Sequence, residues 1–229
     1  MYISKRFKMK FKKEEIAIVI PAFDEGNTIN HIATELKQKG TPIVVDDGST
    51  DQTFAEAKIA GAITIKHYQN LGYDQAIYTG IREAIDLNFK YVFVFDADGQ
   101  HDPNFIDEAV NCLKNGCDVV VGHRDVKQRF SESVFALVST VLWGVKDPLC
   151  GLKGYRLSAI KKFRLECNRR SIGTDIMIAA IKTGLKVCSV ATVTKPRNGV
   201  SRFGIGFKVN FDILKALFYG LFFVRPFDK

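Results

Sequence analysis

Short apolar runs rich in Val and Ile alternate with segments of helical period through the first half of the chain, and this alternation leaves few folds open. A strand that is apolar on both sides must be covered on both faces, the condition of a parallel sheet lying between helices. Ile16 to Ala22 reads as a first strand, Ile43 to Val45 as a second, Ile63 to Tyr68 as a third, Tyr91 to Phe95 as a fourth and Asp118 to Val121 as a fifth. Between them, Ile29, Ile32, Ala33 and Leu36 mark a helix face closed by Gly40 as a C-terminal cap, and Thr53 to Ala60 makes a short helix. Ile77, Ile81, Ala84 and Ile85 form a further stripe. Phe105, Ile106, Ala109, Val110 and Leu113 form another, entered through Asp102 as N-cap and Pro103 in the first turn. The fold class is α/β: a Rossmann-like, mostly parallel central sheet with helices on both faces.

Beyond residue 124 the alternation weakens into a helix-like Val134 to Val145, a glycine-rich 151–156, a helical Asp175 to Thr183, a strand-like 186–194 and an amphipathic C-terminal stretch. With 229 residues, 46% of them hydrophobic, the chain buries one sizeable core. The organisation expected is a basic tail over 1–13, one domain over 14–205 whose halves, 14–123 and 124–205, part where the alternation weakens, and an amphipathic segment over 206–229.

The net charge of +8 favours an anionic partner: phosphate, a membrane surface or nucleic acid. No nucleic-acid-binding module is recognisable, so nucleic acid is not an expected partner. Lys5, Arg6, Lys8, Lys10, Lys12 and Lys13, interleaved with Phe7, Met9 and Phe11, read as a solvated tail or as a basic, apolar membrane foot. The five cysteines show no C-x-x-C spacing, and their odd number argues against a complete disulfide framework and for a reducing cytosol. No secretory signal is visible, and Phe211 to Val224 is too short an apolar stretch to span a bilayer. The expected location is cytoplasmic, peripheral to the membrane.

In open α/β sheets ligands bind beyond the carboxyl ends of the strands, where loops and helix N-termini converge. Three acidic clusters fall at such ends: Pro21-Ala22-Phe23-Asp24-Glu25-Gly26, Asp46-Asp47-Gly48-Ser49-Thr50-Asp51 and Asp96-Ala97-Asp98-Gly99-Gln100. Two carboxylates in D-x-D spacing repel unless a cation neutralises them, which suits a hard divalent metal with oxygen ligands; Gln100 can add a carbonyl oxygen. The same aspartates also suit a capped turn. The second cluster likewise suits an Asx turn with Ser49 or Thr50 capping the next helix, leaving Asp46 and Asp47 to bond a base or ribose.

The segments I-A-I-V-I-P-A-F-D-E, V-V-D-D-G-S-T-D and D-A-D-G-Q-H-D-P, in this order and spacing, resemble glycosyltransferase family 2 of the GT-A fold over roughly residues 14–205. Within it, dolichyl-phosphate mannosyltransferases and bacterial polyprenyl-phosphate glycosyltransferases are most similar. The resemblance implies that 14–205 is a catalytic domain with a nucleotide-binding half over 14–123 and an acceptor half over 124–205, and that Pro21, Ala22, Phe23, Glu25, Asp46, Asp47, Gly72, Asp96, Ala97 and Asp98 bind a nucleotide-sugar, UDP- or GDP-linked. It implies that Asp96, Asp98 and Gln100 hold Mg²⁺ or Mn²⁺. Asn70-Leu71-Gly72 resembles the family's glycine loop, with Asp74 and Gln75 where small residues are usual. Gly122-His123-Arg124, Asp147-Pro148-Leu149-Cys150-Gly151 and the stretch Arg197 to Arg202 resemble later motifs, with Cys150 for the usual serine and Arg202 for lysine.

From these motifs Arg124, Arg197, Ser201 and Arg202 are implied to hold a polyprenyl phosphate acceptor in an inverting transfer catalysed with Asp98 and Arg124. Without the resemblance, Arg124 reads as a surface ion pair. A sugar-hydroxyl acceptor would need a base, for which Asp175 stands as candidate unless it is an ordinary first-turn helix acid. Phe207, Phe211, Leu214, Phe218, Leu221 and Phe222 repeat at helical spacing, and suit a membrane interface, a homo-oligomer contact or a packed helix. Many relatives carry transmembrane helices after this point, so a membrane-protein partner is a further expectation. Two competing readings are a sugar nucleotidyltransferase, which would open on a glycine-rich basic loop, and a non-enzymatic receiver domain with Asp46, Asp47 and Asp96 as its acidic pocket and Lys195 as its lysine.

Overall fold

The computed structural model describes residues 12–124, 130–163 and 171–193, with Phe211, Ile213, Lys215, Phe218, Tyr219 and Phe222. Residues 1–11, Lys195, Arg197, Ser201, Arg202 and most of 206–229 lie outside the described residues. In chain order the elements are β1 (Ile16–Ala22), α1 (Ile29–Leu36), β2 (Thr41–Asp46), α2 (Thr53–Ile59), β3 (Ile63–Lys66), α3 (Tyr73–Asp86) and β4 (Tyr91–Val94). There follow α4 (Asn104–Lys114), β5 (Val119–His123), α5 (Phe130–Trp143), β6 (Lys153–Arg156), α6 (Leu157–Ile160), α7 (Ile172–Lys182) and β7 (Val187–Ala191).

The strands form one seven-stranded sheet in the order β3-β2-β1-β4-β6-β5-β7. The five strands expected in the first half are present; the apolar runs of β1, β2, β4 and β5 are buried on both faces as a covered parallel sheet requires, whereas β3, at the sheet edge, is only half-buried. Along β1, Ile16, Ile18, Ile20 and Ala22 pack with residues of α1 and α4 on one side, while Ala17 and Val19 pack with residues of α3 and α7 on the other. Fully burying one such Ile or Val contributes about 1.5–3 kcal/mol.

The glycine-rich stretch 151–156 contains β6, which runs antiparallel to both of its neighbours, β4 and β5. A receiver domain has no such inserted antiparallel strand, so that reading is excluded by topology. The sequence hides β6 because it is short and carries Lys153 and Gly154 where apolar alternation would be sought. Gly154 lies opposite Phe93 in register, and the Phe93 ring occupies the space a β-carbon at 154 would need.

Two local readings change. Gly40 is not a left-handed cap: its amide donates to the Leu36 carbonyl at 3.1 Å, and a β-carbon there would meet the Ile16 carbonyl at 2.8 Å. Glycine is needed for the close approach of the turn to β1. Asp102 does cap its helix, accepting the Asn104 amide at 3.0 Å, with Pro103 just before the first turn rather than inside it.

The cysteines also depart from the reduced set expected. Cys117 and Cys188, 71 residues apart, form a disulfide with Cα atoms 6.2 Å apart. Parallel pairing of β5 with β7 sets Cys188 beside Val120, next to the chain entering β5, a neighbourhood no spacing rule reveals. Cys112 and Cys150 are free. No helix among the described residues is long and apolar enough to cross a membrane.

Because the Phe93 ring cannot yield without disturbing β4, Gly154→Ala is expected to lower stability by about 1–3 kcal/mol. Equilibrium urea unfolding should show a lower midpoint at unchanged slope; an unmoved midpoint would mean the ring has room to shift.

Candidate active site

The loops after β1, β2 and β4 meet at the carboxyl edge of the sheet, and their side chains knit them into one rim. Asp24, in a left-handed conformation (φ 49°), donates its amide to Ser49 Oγ at 2.9 Å and accepts the Thr50 amide on Oδ1 at 3.0 Å. The Glu25 amide donates to Thr53 Oγ1 at 2.8 Å, and the Gly26 amide to Asp51 Oδ2 at 2.9 Å. The Thr28 hydroxyl lies 3.0 Å from both Glu25 Oε2 and the Ala97 carbonyl, joining the first loop to the third. Helix α2 is capped by Asp51, whose Oδ1 accepts the Thr53 amide at 2.9 Å, and not by Ser49 or Thr50.

Pro21 and Ala22 are buried in the floor of this rim, and Phe23 and Glu25 are half-buried on it. Asp46 and Asp47, expected to meet a base or ribose, turn inward. Asp46 is fully buried: Oδ1 accepts the Ser49 amide at 2.8 Å, and Oδ2, without a hydrogen bond, lies 3.4 Å from the Lys66 ammonium. Asp47 accepts the amides of Leu71 (2.9 Å) and Gly72 (2.7 Å) and pairs with His67 Nδ1 at 2.7 Å. Its carboxylate therefore holds the glycine loop against β2. Gly72 itself adopts φ 99°, a conformation open to glycine at little cost.

Asp96, just past β4, is the centre of the edge. Tyr73 donates its hydroxyl to Oδ1 at 2.6 Å, and His101 Nε2 lies 3.0 Å from Oδ2. Burial would raise the Asp96 pKa, but the His101 hydrogen bond and charge, the Tyr73 hydroxyl and the Lys153 ammonium outweigh it and hold the carboxyl below its ordinary value. Its side chain keeps 24% exposure, so the anion faces the cleft. A β-carbon at Gly151 would lie 2.5 Å from Asp96 Oδ2, so any larger residue there would have to displace the carboxylate. Asp98, two residues on, accepts the Gln100 amide on Oδ1 at 3.0 Å.

These groups fit a divalent cation. No cluster of three or more His, Cys, Asp or Glu among the described residues makes a complete metal cage. Mg²⁺ is usually held by one or two carboxylates plus substrate phosphates, and Asp96, held below its ordinary pKa, with Asp98 and Gln100 two and four residues on, has the composition of such a partial donor set.

Directly after β5, Arg124 is gripped by Asp147, with Nε 2.8 Å from Oδ2 and Nη2 3.2 Å from Oδ1, and reaches Glu132 at 3.5 Å. Burial disfavours its charge, but the Asp147 bond and charge overcome this and raise its pKa. It is a half-buried cation engaged by two buried acids and not an exposed surface pair. Cys150, where serine is usual in the resembled motif, is fully buried, and burial pushes its thiol up to about 11. Asp175 sits half-buried in the first turn of α7.

Sequence reading missed four residues of this centre: Tyr73, His101, Lys153 and the structural part played by Asp74. His101 lies within the third acidic segment and Tyr73 directly follows Gly72, so proximity to those motifs was the available signal. Lys153 offered none. It is buried from a strand that was not predicted, and donates to the Cys150 carbonyl.

Residues 17–138 match the family model described as Glycosyl transferase family 2. An uncharacterized protein of Methanocaldococcus jannaschii is 33% identical, over 81% of this chain and 83% of its own length. The UDP-N-acetylglucosamine–dolichyl-phosphate N-acetylglucosaminyltransferase of Methanococcus voltae is 28% identical, over 78% of this chain and 85% of its own. Dodecaprenyl-phosphate galacturonate synthase of Rhizobium johnstonii is 29% identical, over 93% and 69%. Among solved structures, glucosyl-3-phosphoglycerate synthase of Mycobacterium tuberculosis with Mn²⁺, uridine diphosphate and phosphoglyceric acid superposes with TM-score 0.70 at 20% identity, over 90% of this chain and 78% of that one. This last likeness is one of fold.

If Tyr73 orients Asp96 toward a cation, Tyr73→Phe should weaken Mn²⁺ binding about 10-fold while keeping the ring in place. Calorimetric titration of the full chain with Mn²⁺ and uridine diphosphate reads this; unchanged affinity would reduce the hydroxyl to a packing contact.

Proposed function

Because the chain belongs to glycosyltransferase family 2, we propose that it transfers a sugar from a UDP- or GDP-sugar to a polyprenyl phosphate, with inversion, at the cytoplasmic face of a membrane. The observation that carries this reading is the Asp96 carboxylate, kept ionised and aimed into the cleft by Tyr73 and His101 at the carboxyl edge of the sheet. The lipid-phosphate acceptors named for the Methanococcus and Rhizobium relatives support the acceptor class. Exposed apolar side chains on α5, Phe130, Leu137, Val141 and Leu142, together with exposed Phe211, Phe218 and Phe222, support a membrane-borne one.

In this reading Asp96, Asp98 and the Gln100 carbonyl hold Mg²⁺ or Mn²⁺. The ion supplies Lewis-acid stabilisation of the charge that develops on the departing nucleoside diphosphate. Phe23 and Glu25 line the nucleoside pocket over the floor of Pro21, Ala22 and Ala97. Asp46 and Asp47 shape that pocket from behind by fixing Ser49 and the loop ending at Gly72. A lipid monophosphate is already largely anionic near neutral pH, its second pKa being about 6, so the site needs no strong base. It must instead hold two anions together, the work assigned to Arg124, oriented by Asp147, with Arg197, Ser201 and Arg202.

Purified protein with Mn²⁺ is expected to transfer from one member of a panel of UDP- and GDP-sugars when a polyprenyl phosphate is added. EDTA should abolish the reaction, and Asp98→Ala should lower the rate about 100-fold or more. Activity indifferent to both treatments overturns the metal role, and transfer to glycan hydroxyls but not to lipid phosphate overturns the acceptor, moving Asp175 into the part of base.

A further inference from the structure

The first turn of α3 carries two neighbouring residues that reach opposite sides of the cleft. Tyr73 donates to Asp96 Oδ1 at 2.6 Å, on the side assigned to the donor. Asp74 accepts the Ile172 backbone amide on Oδ1 at 2.9 Å, across 98 residues of sequence, on the side assigned to the acceptor.

Ile172 is the first residue of α7, so its amide is one of those a helix leaves without an intrahelical partner. The N-cap residue, Ser171, makes no side-chain bond to the helix start; its hydroxyl pairs with Thr174 Oγ1 at 2.8 Å. Asp74 takes the capping part from another helix and sets a carboxylate at the positive end of α7.

The first turn of α7 then rests on the segment beside the cleft. Thr174 Oγ1 lies 3.1 Å from the Pro148 carbonyl, and Tyr155 donates its hydroxyl to the Gly173 carbonyl at 3.4 Å. A β-carbon at Gly173 would come within 3.0 Å of Lys153 Cδ. The segment so covered includes Asp147, which holds Arg124, and Gly151, which lies against Asp96. Asp74 occupies a position where the resembled family has small residues, and a half-buried carboxylate there is costly unless it is bonded: burial raises its pKa while the Ile172 amide and the Lys153 charge pull it back.

We propose that Asp74 is a positioning residue which, by capping α7 from the first turn of α3, sets the acceptor half against the donor and metal site. The proposal rests on the sugar-transfer reading for its kinetic consequence, and on geometry alone for the cap. An aspartate serving only general stability would affect donor and acceptor alike. A clamp on α7 affects the acceptor selectively.

The test uses the full chain with Asp74→Ala and Asp74→Asn, the latter retaining an oxygen able to accept the Ile172 amide. Asp74→Ala is expected to raise the KM for polyprenyl phosphate about tenfold, and Asp74→Asn to restore most of that loss, the size expected for one cap. The donor KM and Mn²⁺ affinity should stay within about twofold in both. Amide hydrogen exchange at residues 172–175 should quicken in Asp74→Ala and not in Asp74→Asn. Asp74→Ser, too short to reach Ile172, replaces the alanine variant should that not fold. Donor and acceptor KM moving together, or exchange at 172–175 unchanged, overturns the proposal. If the wild-type chain transfers to no acceptor, the sugar-transfer reading fails on its own, and the exchange measurement still decides the clamp.

Discussion

The carboxyl edge of this protein is organised around one problem: the Asp96 carboxylate has to remain charged although the fold draws most of it out of water. An isolated buried anion would take up a proton rather than bear that desolvation. Three groups prevent this, and each comes from a different part of the chain: His101 from the loop that follows, Tyr73 from the start of α3, and Lys153 from β6. Lys153 is placed there only because an antiparallel strand enters between β4 and β5. That strand fits only because Gly154 leaves room for the Phe93 ring. Core packing and site electrostatics are in this sense a single construction, since the strand that completes the sheet also delivers the cation that keeps the carboxylate charged.

The two halves are joined by a chain of short polar contacts as well as by the sheet. Asp47 ties the glycine loop to β2, Tyr73 ties the next turn to Asp96, Asp74 ties the same turn to α7, and α7 rests on the segment that carries Asp147. Asp147 fixes Arg124 at the end of β5. Each of these acids accepts from donors fixed in space, which holds the opposing sides at a set separation. Such a fixed separation is what the proposed transfer between two negatively charged substrates would require. The disulfide between Cys117 and Cys188 anchors edge strand β7 to the chain leading into β5, away from this ring of contacts.

Much of this was legible in the residues. The strands β1, β2, β4 and β5 stand out because a strand covered on both faces is an unbroken apolar run, and α1, α3 and α4 because one buried stripe repeats at helical period. The carboxyl-edge aspartates were legible as well, being charged residues placed directly after buried strands. The structural uses of Asp47 and Asp74 were not. Both are acids in motif-bearing loops, and nothing in one dimension says whether a carboxylate turns toward the cleft or back toward a neighbouring amide. Strand β6 was missed for a related reason: a buried lysine and a glycine opposite a phenylalanine make sense only once the partner strand is known.

The sequence by itself determined the layered α/β class, the order of its early elements and the concentration of acid at one edge, because each follows from local periodicity or from a residue's distance along the chain to the end of a strand. Only the tertiary structure decided which acids face the cleft, which cation offsets Asp96, which helix Asp74 caps and which cysteines meet. Those outcomes depend on contacts between residues 20 to 98 positions apart, set by strand order and helix packing, and no local pattern encodes them.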